Sequence, residues 1–101
     1  MVARLAEIYT LIYNILMSDT PQVTVYSASW CAFCHAAKDY MDSINVKYVD
    51  KDVDSDKAIA QESVDKSGQM GIPVIDVAGD IIVGFNRPKL DELLKKHKII
   101  K

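Results

Sequence analysis

The stretch Val23-Thr24-Val25-Tyr26-Ser27-Ala28-Ser29-Trp30-Cys31-Ala32-Phe33-Cys34-His35 contains both cysteines of the chain. Its first four residues are β-branched or aromatic and read as a buried strand. Beyond the cysteines the apolar period changes. Ala36, Ala37, Tyr40, Met41 and Ile44 recur three or four apart, which predicts a helix of about three turns, and Asn45 suits its C-terminal cap. The cysteines therefore fall where a strand gives way to a helix N-terminus. Unpaired backbone N–H groups and the positive end of the helix dipole both favour a thiolate there, so Cys31 is expected to be more acidic than an ordinary thiol. Cys34 lies one turn further in, more shielded. A spacing of three puts both sulfurs on one helix face, close enough to close a small disulfide ring.

Downstream, Val46-Lys47-Tyr48-Val49 alternates and reads as a second strand. The run Asp50-Lys51-Asp52-Val53-Asp54-Ser55-Asp56-Lys57 invites a calcium-loop reading. It puts Ser55 where the sharp turn needs Gly, and Gln61 where a bidentate Glu is needed. It reads instead as a loop whose carboxylates favour the start of a helix from Lys57 to about Ser67. Gly68 and Gly71 bracket a further loop. Ile72-Pro73-Val74-Ile75-Asp76-Val77 reads as a strand with proline at its start, where a ladder donor is not yet needed. Ala78-Gly79-Asp80 turns tightly into Ile81-Ile82-Val83, predicting a hairpin. Asn86-Arg87-Pro88 opens a last helix with an apolar stripe at Leu90, Leu93 and Leu94, closed by Lys95, Lys96 and His97. The order β-α-β-α-β-β-α requires a right-handed parallel crossover followed by an antiparallel hairpin. The fold class is α/β, a four-stranded mixed sheet flanked by helices.

With 101 residues the chain has room for one domain. The net charge of −2 leaves no electrostatic footprint for nucleic acid. Two cysteines three apart staple nothing distant, and read as a reactive dithiol in a reducing, cytoplasmic compartment. Residues 1–19 read as an N-terminal apolar extension ahead of a domain spanning 20–101. In that extension Leu5, Ile8, Ile12, Ile15 and Leu16 fall near helical spacing. Glu7, Thr10 and Asn14 interrupt the run, and no small-residue cleavage site follows, which argues against a signal peptide. It is also too short and polar to span a bilayer, so no membrane partner is expected. Residues 1–16 are expected to form an amphipathic helix that packs on the domain, mediates self-association or stands free. Met17 offers an alternative start.

Cys31-Ala32-Phe33-Cys34-His35 also satisfies the haem-attachment pattern. Export is not indicated, however, and of the available axial ligands Met41 and Met70, Met41 falls on a core-facing helix position. A structural zinc site needs four ligands, and only the distant His97 remains to be added. His35 reads as a solvated first-turn residue, and the tyrosines at 9, 13, 40 and 48 as packing.

The Val23–Ser27 strand with Trp30-Cys31-Ala32-Phe33-Cys34, the segment Gly71-Ile72-Pro73-Val74-Ile75, and Gly79-Asp80…Val83-Gly84-Phe85 together resemble a glutaredoxin-like redoxin. The resemblance runs from about Val23 to Leu94. It implies the thioredoxin fold, a cis peptide bond between Ile72 and Pro73 beside the cysteines, and an Ile72 backbone that pairs with an extended substrate or glutathione. It implies catalysis by Cys31 as nucleophile and Cys34 as resolving thiol, with Trp30, Phe33, Ile72, Pro73 and Arg87 as substrate-binding candidates. No bound cofactor or metal is implied. The implied partners are disulfide-containing proteins, with glutathione or an NADPH-dependent flavoprotein (thioredoxin reductase) as electron source. Ala28 stands where glutaredoxins commonly carry a lysine for a glutathione carboxylate, and Gly84-Phe85-Asn86-Arg87-Pro88 is more similar to NrdH-type redoxins. Val25 stands where thioredoxins carry a buried acid. A cluster-carrying role, with an iron–sulfur centre shared by two subunits, is the alternative within the same resemblance.

Overall fold

The computed structural model describes residues 21–101, so the helix expected in residues 1–19 lies outside the described residues. Strand β1 (Val23–Ser27) leads to α1 (Ala32–Ser43) and β2 (Val49–Asp52). Helix α2 (Lys57–Ser67), the hairpin β3 (Val74–Val77) and β4 (Asp80–Val83), and α3 (Arg87–Lys96) follow. The sheet order is β2-β1-β3-β4, with β1 and β2 parallel and the other two pairings antiparallel.

Alternation along β1 sends Val23 and Val25 to one face, where they meet Ala37 and Met41 of α1 and Leu90, Leu93 and Leu94 of α3 in the main core. Tyr26 points to the other face and donates its hydroxyl to Glu62 of α2 at 2.5 Å. Helices therefore cover both faces of the sheet, α1 and α3 on one and α2 on the other. Local chemistry sets the helix ends. Asp56 accepts from Ala58 N at 2.8 Å to start α2, and Gly68 ends it at φ 72°. Asn86 accepts from Lys89 N at 3.2 Å to start α3, with Pro88 in its first turn. Asn45, just past α1, takes φ 59°, the left-handed conformation expected of its cap.

The second strand departs from expectation. It runs Val49–Asp52, not Val46–Val49, and pairs Thr24 with Val49 through Ser27 with Asp52. Val46 is instead a core residue packed beneath the end of α1. The apolar alternation marked a buried connection, while the strand lies on the sheet edge and consists largely of charged residues. An edge strand needs pairing on one side only, and charge there discourages further pairing.

Candidate active site

Cys31 is the N-cap of α1, with extended backbone angles, and its Sγ accepts from Cys34 N at 3.2 Å. Strand β1 delivers the chain through Ala28, whose carbonyl accepts from Cys31 N at 3.1 Å, and the helix begins at once behind it. Cys31 and Cys34 are joined as a disulfide with their Cα atoms 5.2 Å apart. Cys31 keeps 7% exposure and Cys34 none, so Cys31 is the more accessible residue of the pair and Cys34 is enclosed.

Around the pair lie Ala28, Val53 and Ile72. The Ile72–Pro73 bond is cis, and Pro73 is buried with its carbonyl accepting from Gly84 N at 2.8 Å. The resemblance implied this placement beside the cysteines. Ala28 is buried in the same cluster, so its methyl takes part in packing the site.

Trp30 and Phe33 are 71% and 69% exposed, flanking the disulfide with large apolar rings. Trp30 donates its indole N–H to Asp54 at 2.8 Å. Arg87 lies with its guanidinium carbon 4.5 Å from the centre of the Tyr40 ring, a cation–π contact, and Tyr40 donates its hydroxyl to Asp91. That contact ties Arg87, the first residue of α3, to α1, apart from the apolar cluster around the cysteines. His35 is exposed, but its Nε2 lies 2.7 Å from the Ser29 carbonyl and ties the first helical turn back to the loop before it. The expectation of a merely solvated His35 omitted this contact.

Sequence reading missed two further groups. Met70, 88% exposed, and Asp54 line a groove beside Trp30 and Ile72. Ser27, nearly fully buried, donates to Asp50 at 2.5 Å, and Lys38 reaches the same carboxylate at 2.9 Å. Burial raises the Asp50 pKa, but the Ser27 and Lys38 hydrogen bonds and the Lys38 charge outweigh it and hold the carboxyl below its usual value. Lys38 sits one turn beyond Cys34 on the same helix face. The acidic run thus spends its carboxylates separately. Asp50 binds Ser27 and Lys38, Asp52 accepts from Asp54 N, Asp54 holds Trp30, and Asp56 caps α2. Among the described residues no three His, Cys, Asp or Glu side chains converge as a metal site.

A Cys-x-x-Cys disulfide at the first helix of this sheet, its first cysteine the more accessible and its second enclosed, suits thiol–disulfide exchange. The fold and site define a thiol–disulfide oxidoreductase of the thioredoxin superfamily. The sequence model of the family described as glutaredoxin matches residues 23–82. An uncharacterized glutaredoxin-like 8.6 kDa protein in the rubredoxin operon of Clostridium pasteurianum is 39% identical over 74 residues, covering 73% of this chain and 99% of that protein. The glutaredoxin of Archaeoglobus fulgidus superposes with a TM-score of 0.70 at 22% identity, over 81% of this chain and 95% of that one. The NrdH-redoxin of Escherichia coli superposes with a TM-score of 0.62 at 25% identity, over 70% of this chain and 92% of that one. The chain belongs to the glutaredoxin family.

Proposed function

We propose that the protein reduces disulfides of protein substrates by a dithiol mechanism in which Cys31 is the nucleophile and Cys34 resolves. The observation that carries this reading is the asymmetry of the pair. Cys31 Sγ caps the helix and accepts an amide N–H, while Cys34 is fully enclosed. A thiolate at Cys31 gains that hydrogen bond and the helix dipole. It attacks one substrate sulfur, the substrate S–S bond breaks, and the departing thiolate takes up a proton. Cys34, on losing its proton, attacks the Cys31 sulfur of the mixed disulfide and expels the second substrate thiol. Two electrons pass to the substrate, and Cys31–Cys34 becomes a disulfide.

Ile72, packed against the cysteines beside its cis bond to Pro73, presents backbone to an extended substrate, and the exposed Trp30 and Phe33 rings give it apolar contact. Glutathione or an NADPH-dependent thioredoxin reductase returns the two electrons. The buried Ala28 favours the reductase, since the site there offers no cation for a glutathione carboxylate. The thioredoxin-like activity profile named for the Escherichia coli NrdH-redoxin favours it too. Arg87 is the remaining candidate for a carboxylate. No cofactor is held through the cycle, and a reducing cytoplasm is the setting such a dithiol needs. Cys31→Ser should abolish turnover, and Cys34→Ser should accumulate mixed disulfides with protein substrates, resolved by mass spectrometry. Turnover by the Cys31 variant would overturn the nucleophile assignment.

A further inference from the structure

The resolving step requires Cys34 to part with a proton inside an enclosed site. Burial disfavours a thiolate, so the charges nearest the sulfur decide how readily it forms. Cys34 has no exposure, and Ala28, Val53 and Ile72 close around the pair.

Behind that apolar cluster lies a group of three polar side chains. Ser27 directly precedes Ala28, and its carbonyl accepts from Val53 N at 2.9 Å. Its hydroxyl donates to Asp50 at 2.5 Å, while Lys38 Nζ donates to Asp50 at 2.9 Å and to the Ser27 oxygen at 3.4 Å. Lys38 stands one turn beyond Cys34 in α1, so its stem leaves the helix on the same face. The Lys38 side chain is only 15% exposed, against 44% for Asp50. Water therefore screens the anion more than the cation, and the cation prevails at Cys34. The remaining charged groups near the pair are bound elsewhere. His35 is exposed and lies against the Ser29 carbonyl, Asp52 accepts from Asp54 N, and Asp54 holds Trp30. On the α2 face Lys51, Glu62, Lys66 and Asp76 pair among themselves around Tyr26, and at α3 Arg87 lies over Tyr40.

We infer that Lys38 is a positioning residue for the resolving half of the cycle: held by Asp50 and Ser27, its ammonium favours the Cys34 thiolate, and Asp50 limits that effect. The inference rests on the oxidoreductase reading and adds residues to its second step. In that step Cys34 gives its proton to the solvent buffer and its sulfur bonds to the Cys31 sulfur. The bond from Cys31 to the substrate breaks, and its electron pair leaves on the substrate sulfur, which is thereby reduced. Lys38 forms and breaks no covalent bond.

The test mixes the reduced full chain with dithiodipyridine, a neutral disulfide, and follows release of thiopyridone by stopped flow across pH. One thiopyridone leaves as Cys31 is capped, at a rate that scales with reagent. A second leaves as Cys34 closes the disulfide, at a rate that does not. The second phase should rise with pH to a plateau. Lys38→Met should move its midpoint up by about one pH unit, a roughly tenfold loss of rate below the midpoint, with a smaller change in the first phase. Asp50→Asn keeps an oxygen for Lys38 and Ser27 but removes the charge, and should move the midpoint down. Lys38→Arg keeps the cation and should stay near the parent midpoint. A cluster that serves only as a strut would slow both phases together at an unmoved midpoint, which would overturn the inference. Midpoints shifted the same way in Lys38→Met and Asp50→Asn would overturn it too. Should Lys38→Met fail to fold, Asp50→Asn alone decides, since a midpoint that stays or rises there contradicts the proposal. Failure of the underlying redox reading would look different, because the parent chain would then release no second thiopyridone in a reagent-independent phase.

Discussion

Replacing Ala78 with Asn is expected to stabilise the domain, although it exchanges an apolar residue for a polar one. Ala78 and Gly79 join β3 to β4 with φ of 50° and 101°, the two positive angles of a type I′ hairpin turn. A side chain with a Cβ loses roughly 1–2 kcal/mol in the left-handed region, whereas Asn enters it readily through local hydrogen bonding. The Ala78 side chain is exposed, so no packing is lost on substitution. The turn is already held from outside itself, since Asp76 accepts from Gly79 N at 2.7 Å and from Lys66 at 2.8 Å. If Asn recovers about half of the alanine cost, the gain is about 0.5–1 kcal/mol. For a domain of this size that corresponds to a rise in Tm of roughly 3–6 °C. Urea unfolding of the reduced protein, followed by circular dichroism, reads the gain as a higher midpoint at constant slope. Gly79→Ala is the control. A Cβ there meets nothing within 4 Å, so its cost of about 1–2 kcal/mol is purely conformational. An Ala78→Asn protein no more stable than the parent, beside a Gly79→Ala protein that loses nothing, would refute the turn assignment.

Met41→Ala should cost about 2–5 kcal/mol in urea unfolding, because Met41 is fully enclosed between α1 and the sheet and its removal leaves a cavity. Acid should destabilise the fold through Asp50 and Asp80, whose carboxyls lie below their usual range, Asp80 chiefly through its bond to His97 and then Lys96. A depressed carboxylate contributes stability above its unfolded pKa, and that contribution is lost as pH falls through the lower folded value. Asp50→Asn should therefore flatten the stability curve below about pH 4. At the alkaline end, burial and then Asp42 push Tyr48 up to about 12. The fold thus favours its neutral phenol, and stability should decline as pH rises from the ordinary tyrosine value toward about 12. Tyr48→Phe should remove that part of the decline, read by unfolding across the same range.

Much of this arrangement is legible in the sequence because it is local. The change of period after Trp30 places the cysteines at a helix start, and the cap residues Asp56 and Asn86 stand immediately before α2 and α3. The hairpin is marked by Gly79. The edge strand is less legible. Its charged residues follow a solvated edge, and only the pairing with β1 defines it, so alternation at Val46–Val49 pointed to the wrong segment. The same error hid Asp54. Read within an acidic loop it is one carboxylate among several, and its bond to Trp30 depends on how β2 brings the following turn beside α1. Met70 likewise carries no periodic signal; its place in the groove comes from the loop ahead of Pro73. The residues of the chemical step are thus legible, while those that shape its surroundings arise from tertiary contact.

The asymmetry of the two sulfurs is tested most directly by alkylating the reduced protein with limiting iodoacetamide at mildly acidic pH and locating the label by peptide mass. Label confined to Cys31, with Cys34 modified only after denaturation, is the outcome required if Cys31 is the stabilised outer thiolate and Cys34 the enclosed resolving thiol. Preferential labelling of Cys34, or equal labelling of both, would contradict it.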